Sequence, residues 1–340
     1  MQNIDLVSDL RPVILAARQV RDQRNTLARF LPNRNVQAVS YRLGRRKRVD
    51  QTVPVRAIDA PATPIKRPGV LDVRGDLPAV TPIVDLSEQD LTNEMVLAQQ
   101  LAGLQVDWEP WVVSAAAEVA LATDNTFEVM RGQLLATTKI MLIAEDGATH
   151  EVDFGVSHDR IITAGAPWDF EDPVAVFADY SAAHEAHLDG GSGQPAGAVL
   201  TSSKMKGLLL NAVQKLFPQA PIGIDALNAY LSTRDLPPVV TYDRRLKDAA
   251  GVKRRVYPEG SMTFLPGADD PVGATELGVT QESVQQVQRR ILSREQAPGM
   301  TIVTLGQDNP VQRSVKGASI GMPVLSDNDE ITVLNGLIAE

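Results

Sequence analysis

Lys139-Ile140-Met141-Leu142-Ile143-Ala144-Glu145-Asp146-Gly147-Ala148-Thr149-His150-Glu151-Val152-Asp153-Phe154-Gly155 is the stretch whose reading decides the fold. Two apolar-rich runs, Lys139 to Ala144 and His150 to Phe154, flank Glu145-Asp146-Gly147, where Asp-Gly favours the positive backbone angles of a type I′ turn. A β-hairpin is predicted. On its N-terminal side Pro110 suits a first helical turn, and Trp111, Ala115, Val119, Ala122, Met130 and Leu134 keep an apolar stripe, which predicts the longest helix of the chain. Asp124-Asn125-Thr126 inside that helix has the composition of an internal cap, which would divide it in two. Further upstream, Ser87 with Asp90 three residues on resembles a capping box, followed by Leu91, Met95 and Ala98 at helical spacing.

From Val36 to Leu86 the pattern is β-branched residues interrupted by Pro54, Pro61, Pro64, Pro68, Pro78 and Pro82. No helix fits there. Thr52 to Ile58, Val70 to Val73 and Val80 to Val84 read as strands with proline-marked edges, in a segment too long for an ordinary connection and hence a projecting loop or arm. Leu6, Leu10 and Ile14 suit a short amphipathic helix before it, although Pro12 opposes this.

Downstream of the hairpin the pattern is mixed. Asp172-Pro173 opens a helix through about His187, and Asp189-Gly190-Gly191-Ser192-Gly193 ends it. Strands are expected at Gly197 to Leu200, Val239 to Tyr242, Lys253 to Tyr257 and Ser261 to Leu265. Ser202 caps a helix through Phe217, and Thr280 caps another through Leu292. The tail reads as short strands at Met300 to Leu305, Pro310 to Val315 and Ile331 to Leu334. No internal repeat is visible, and the fold class is α+β.

With 44% apolar and 22% charged residues, the 340-residue chain has globular rather than disordered composition. No apolar run is long enough to span a bilayer, and Val13 to Ala17 is too short for a signal-peptide core, so the chain reads as soluble and not exported. The absence of cysteine excludes disulfides, thiolate metal sites and cysteine nucleophiles. Its net charge of −9 hides a split: residues 1 to 80 hold 15 Lys/Arg against 7 Asp/Glu, net +8, and the remaining 260 hold 18 against 35, net −17. The run Arg42-Leu43-Gly44-Arg45-Arg46-Lys47-Arg48 would bind phosphates or an acidic neighbour. Opposite charge blocks on one chain attract between copies, and aromatic residues for base stacking are missing, which favours the arm-on-neighbour reading.

Catalytic patterns fail on context. Gly317-Ala318-Ser319-Ile320-Gly321 matches a nucleophile elbow, but Pro323 follows where a helix is needed and the last histidine, His187, precedes it. His184 and His187 lie one helical turn apart, a metal-binding spacing without an identifiable third ligand; a solvated helix end is the simpler reading. Asp269-Asp270 with Glu276 lacks a regular calcium-loop pattern. Trp108, Trp111 and Trp168 lie beside apolar residues and read as core or interface anchors. No catalytic residue, cofactor or metal ligand is expected.

The order of these elements resembles the Hong Kong 97-type capsid fold. Glu151-Val152-Asp153-Phe154-Gly155, Asp172-Pro173-Val174, Gly260-Ser261-Met262-Thr263-Phe264-Leu265-Pro266-Gly267 and Gly321-Met322-Pro323-Val324 with Asp327, Asn328 and Asp329 are similar to segments of the lambda-like phage major capsid proteins, the major capsid protein E family. Leu101 to Thr126 departs from that family's charged helix, being rich in alanine and valine. The resemblance implies an N-terminal arm (1–35), an extended β loop (36–86), a peripheral domain with a spine helix and hairpin (87–174), an axial domain (175–300) and C-terminal strands returning to the peripheral domain (301–340). It implies hexamers and pentamers of an icosahedral phage head enclosing double-stranded DNA, in the virion after assembly in the host cytoplasm. Portal, scaffolding and decoration proteins are further candidate partners. Arg18, Arg21 and Arg24 would be arm contacts between copies, and Arg42, Arg45, Arg46, Lys47, Arg48, Lys66 and Arg67 loop contacts. The rival readings are an encapsulin-like shell and a basic-armed nucleic-acid-binding protein.

Overall fold

The hairpin forms where its two runs predict it. In the computed structural model, Lys139–Ile143 pairs antiparallel with Thr149–Asp153, with Lys139 opposite Asp153 and Ile143 opposite Thr149. Gly147 has φ 81°, the left-handed conformation expected of Asp-Gly, but the ladder closes at Ile143 and Thr149, which makes the connection longer than a two-residue turn. The structure describes residues 2–3, 12, 15–16, 19, 24–46, 70–90, 92–93, 109–143, 147–191, 193–218, 224–248, 251–267, 271–309 and 311–338. Residues 12, 15–16 and 19 are helical; the rest of the expected arm helix and the strand expected over Thr52 to Ile58 lie outside the described residues.

One helix, Glu109–Thr137, runs through the middle of the molecule without a break. The internal cap expected at Asp124 to Thr126 does not form, because its side chains are engaged elsewhere. Thr123 and Thr126 donate to the carbonyls of Val119 and Ala122 at 3.0 Å, and Asn125 Oδ1 accepts from Arg244 at 2.8 Å. The helix continues through them. The alanine and valine content of its first half has a packing cause. Val112, Ala115, Ala116 and Val119 are buried against Ile302 and Val315, and a Cβ at Gly317 would lie 2.4 Å from Val119 Cγ1. Only small side chains on both elements permit that approach. Later in the same helix, Gly132 lies against the backbone of Val256, whose carbonyl oxygen would be 2.2 Å from an added Cβ. Gly132→Ala is expected to destabilise the chain by about 1–3 kcal/mol through overpacking, read as a lower urea midpoint.

Two sheets flank this helix. The larger is built on Val311–Leu325, which pairs antiparallel with Met300–Asp308 over its first part and Gly273–Leu277 over its last. Ala79–Val80 and Ile83–Leu86 also add to it. The expected strand Val80 to Val84 is thus two short strands, broken at Thr81 and Pro82. The tail strand expected at Pro310 to Val315 is only the first part of the observed one, which runs on through Gly317 and Gly321, where neighbouring atoms leave no room for a Cβ, and Pro323, which pairs with Thr275. Gly273–Leu277 was not anticipated and is wholly buried.

The second sheet has the order Val239–Thr241, Ala198–Thr201, Met262–Leu265, Thr332–Asn335, Ile161–Thr163. Both its faces are covered. Val199, Met262, Phe264 and Leu334 face the helices Pro173–Gly190, Ser203–Leu216 and Ile224–Ser232, while Leu200, Leu265 and Val333 join Phe127, Met130, Leu134 and Leu135 of the long helix in the central core. Covering on both sides explains why these strands are continuous apolar runs rather than alternating ones. Asp172, Ser202 and Thr280 cap their helices as expected. The helix after Thr280 stops at Gln288 rather than Leu292, since Arg290 adopts φ 61° and the amides of Arg290 and Ile291 close on Val287 and Gln286.

Candidate functional site

A ribbon carries the basic sequence away from this body. Ser40–Arg46 pairs antiparallel with Val70–Asp76 over seven rungs, from Ser40 opposite Asp76 to Arg46 opposite Val70. Its root is fixed by burial. Tyr41 is 6% exposed, lies over Gly75, where a Cβ would come within 2.6 Å of the ring, and belongs to the central core with Leu77. Burial first, then the nearby Asp76, raises the Tyr41 phenol above its usual range. The Leu77 amide donates to the Val39 carbonyl at 3.0 Å.

The backbone register sets Tyr41 opposite Gly75, Leu43 opposite Val73 and Arg45 opposite Leu71. Ser40 is opposite Asp76, Arg42 opposite Arg74, Gly44 opposite Asp72 and Arg46 opposite Val70. Of the residues predicted as contacts, Arg42, Arg45 and Arg46 are on this ribbon and Arg24 is exposed. Arg18, Arg21, Lys47, Arg48, Lys66 and Arg67 lie outside the described residues.

Beside the long helix is a groove of about 720 Å³, whose walls include Val80, Val129, Met130, Met141, Ile143 and His150. Met141 is 43% and Ile143 74% exposed on the outer part of the hairpin.

The other candidates resolve differently. Ser319 sits mid-strand between Met300 and Val80, 0% exposed, its hydroxyl donating to the Gly299 carbonyl; no elbow is present. Glu276 is paired with Arg34 inside the larger sheet, and Asp269 and Asp270 lie outside the described residues. Trp168 is buried and donates its indole N–H to Asp179 at 2.8 Å, Trp111 lies in the first turn of the long helix and is partly buried against the Val112 and Val315 cluster, and Trp108 lies outside the described residues.

The solvated reading of His184 and His187 is wrong. Both are buried, 6% and 1% exposed, because the helix end they occupy lies under the strand Thr332–Asn335 and Arg160. His184 stacks on Phe264, and His187 Nδ1 meets Thr332 Oγ1 at 3.3 Å. Burial, then Arg160 and His184, push His187 down to about 4. A histidine with a depressed pKa is neutral when folded, so its contribution is complete above the ordinary value near 6.5 and is lost as pH falls from there through 4. The loss amounts to about 3 kcal/mol below pH 4. Urea unfolding from pH 7 to 4 should therefore fall more steeply for the native chain than for His187→Gln.

Sequence reading missed a buried network that ties the molecule together. Arg131, 2% exposed, donates Nε to Thr275 Oγ1 at 2.8 Å and Nη1 to Glu128 Oε2 at 3.0 Å, and its Nη2 reaches Asn33. Glu128, 0% exposed, also accepts from the Tyr242 hydroxyl at 2.7 Å and the Leu27 amide at 3.1 Å. The i, i+3 spacing of Glu128 and Arg131 was available in the sequence, but surface helices carry that pair as well.

With the fold and ribbon in place, comparison with known proteins is informative. The sequence model of the family described as phage major capsid protein E matches residues 16–332. The chain belongs to that family. Its fold matches a structure described as a prophage capsid protein from Escherichia coli CFT073, with TM-score 0.58, 13% identity, and 96% of this chain and 98% of that one covered. A phage-related protein from Bordetella bronchiseptica RB50 matches equally well, at TM-score 0.58, 12% identity and coverage of 96% and 97%. A search of curated proteins gave no match. This subunit of the major capsid protein E family therefore has the Hong Kong 97-type capsid fold and is a shell protein of a phage head.

Proposed function

We propose that the chain assembles into hexamers and pentamers of an icosahedral head around double-stranded DNA, without catalysing a reaction, and that the ribbon of one copy lies on the body of the next. The observation that carries this is the ribbon itself: a seven-rung antiparallel element, rooted in the core at Tyr41 and Leu77, whose first strand carries the basic run that starts at Arg42. It projects from a chain that also exposes Met141 and Ile143 beside the long helix. A contact between unlike patches closes into rings when the rotation permits. Arg18, Arg21 and Arg24 act in the same way from the arm, and Lys47, Arg48, Lys66 and Arg67 from the outer part of the loop. The segments 1–35, 36–86, 87–174, 175–300 and 301–340 serve as arm, extended loop, peripheral domain, axial domain and C-terminal strands. Assembly takes place in the host cytoplasm, with portal, scaffolding or decoration proteins as further partners.

The test is negative-stain electron microscopy and size-exclusion chromatography of the purified chain, alone and co-expressed with its neighbouring genes. Shells or ring-shaped capsomers are expected. A monomer under every condition would overturn self-assembly, and a cargo peptide recovered inside shells in place of DNA would favour an encapsulin-like compartment.

A further inference from the structure

A second basic element stands apart from the arm and loop. Residues 243–259 hold six Lys/Arg against three Asp/Glu, inside a body that is net −17 beyond residue 80. They form a hairpin, Arg245–Lys247 paired antiparallel with Lys253–Arg255, with Arg245 opposite Arg255 and Lys247 opposite Lys253. Gly251 carries the turn at φ 79°. Residues opposite each other, and residues two apart, share a face, so all four of these cations lie on one side. The other side is anchored: Leu246 packs against the central core, and at the root Arg244 bonds Asn125 of the long helix.

The three local carboxylates are already used. Asp243 accepts from Arg255 and from Ser203, which holds it below the usual carboxylate range despite partial burial. Asp248 closes the turn and pairs with Arg254 at 2.8 Å. Glu259 receives Lys204 at 3.1 Å, Arg255 at 2.5 Å and Arg245 at 4.0 Å, three cations on one carboxylate. Among the described residues, Lys247 and Lys253 have no ion-pair partner, and both are exposed. Two lysines directly opposite each other cost an isolated hairpin stability, and an external anion relieves that cost.

We infer that this hairpin binds the phosphodiester backbone of nucleic acid, an inference that rests on the reading of the chain as a DNA-enclosing shell subunit. Successive cations along one strand, two residues apart, are spaced about 7 Å, about twice the roughly 3.4 Å per charge that each DNA strand presents along its axis, so neighbouring cations meet every second charge. A phosphate ladder meets such a face in many registers, whereas a protein partner needs carboxylates at fixed positions. The tyrosines at the hairpin's ends, Tyr242 and Tyr257, are buried, so the face offers no stacking platform and the contact reads charge rather than base sequence. The site is a local exception on an acidic body. It therefore tethers DNA at a point and leaves most of the body repulsive to it.

The test is fluorescence anisotropy of a labelled DNA duplex titrated with the unassembled full-length chain across a salt series. The native chain should bind, and Lys247→Gln with Lys253→Gln should weaken binding roughly tenfold and flatten the slope of log affinity against log salt by about 2, since each phosphate that is no longer neutralised lowers it by about 0.9. Both positions are exposed, so melting should be unchanged and the double variant should still form shells. Unchanged affinity and slope would overturn the proposal. Loss of shells with duplex binding unchanged would also overturn it, and would assign the hairpin to an acidic surface of a second copy. Shells formed by a native chain that does not bind duplex would sink this inference alone. A native chain that binds duplex through the hairpin but never assembles would sink the shell reading instead.

Discussion

Arg131→Ala is expected to cost the folded chain about 3–5 kcal/mol, more than any other single substitution proposed for this protein, because it leaves a fully buried carboxylate without its counter-ion. Glu128 would keep only the Tyr242 hydroxyl and the Leu27 amide, while Thr275 and Asn33 would each lose the guanidinium that reaches them. The consequence is structural at long range. This network joins the segment near Leu27, the long helix, the larger sheet through Thr275 and the second sheet's edge through Tyr242, so its loss loosens every layer the ribbon springs from. Urea unfolding of the unassembled chain measures it. The double variant Glu128→Gln with Arg131→Met should be less damaged than the two single variants added together, by roughly 1–3 kcal/mol, since neither partner is then left charged and alone. Additive losses would show that the pair is not coupled.

Reversal of Arg45, Arg46, Lys47 and Arg48 to glutamate is expected to abolish shells under conditions where the native chain forms them. Four reversals change the charge of the loop by eight, turning attraction to an acidic neighbour into like-charge contact, and such contacts cost several kcal/mol at an interface. The fold should survive, because the ribbon is fixed at its root by Tyr41 and Leu77 rather than by these residues. Circular dichroism and melting of the variant should match the native chain while its particles vanish from electron micrographs. Screening shortens electrostatic reach to about 8 Å at physiological salt, so native assembly should also weaken as salt is raised. Normal shells from the reversed chain would remove the ribbon's charge from the assembly mechanism.

Local chemistry made much of the fold legible. Ser202, Asp172 and Thr280 cap helices because a short polar side chain before an apolar period has one favourable use, and the hairpin at Lys139 to Asp153 follows from two apolar runs around Asp-Gly. Legibility failed where one residue type serves opposite ends. The strand expected at Pro310 to Val315 runs on to Leu325, because Gly317 and Gly321 permit close contact within it. His184 and His187 read as a wet helix end because nothing in their own segment shows that residues 331 to 335 will cover them. The basic hairpin at 245 to 255 was visible as paired runs of Arg and Lys, but it was averaged away in the charge of the acidic body.

The sequence by itself determined the order of elements, the segregation of basic loop from acidic body, and the resemblance that the family match bears out. These depend on neighbours in the chain or on sums along it. Tertiary structure alone decided that the alanine-rich half of the long helix packs on a strand some two hundred residues away, that Glu128 and Arg131 are a buried pair rather than a surface one, and that Lys247 faces Lys253 without a carboxylate between them. The physical reason is burial. Whether a charge is solvated, paired or left seeking a partner depends on what the rest of the chain places over it, and a local pattern does not carry that information.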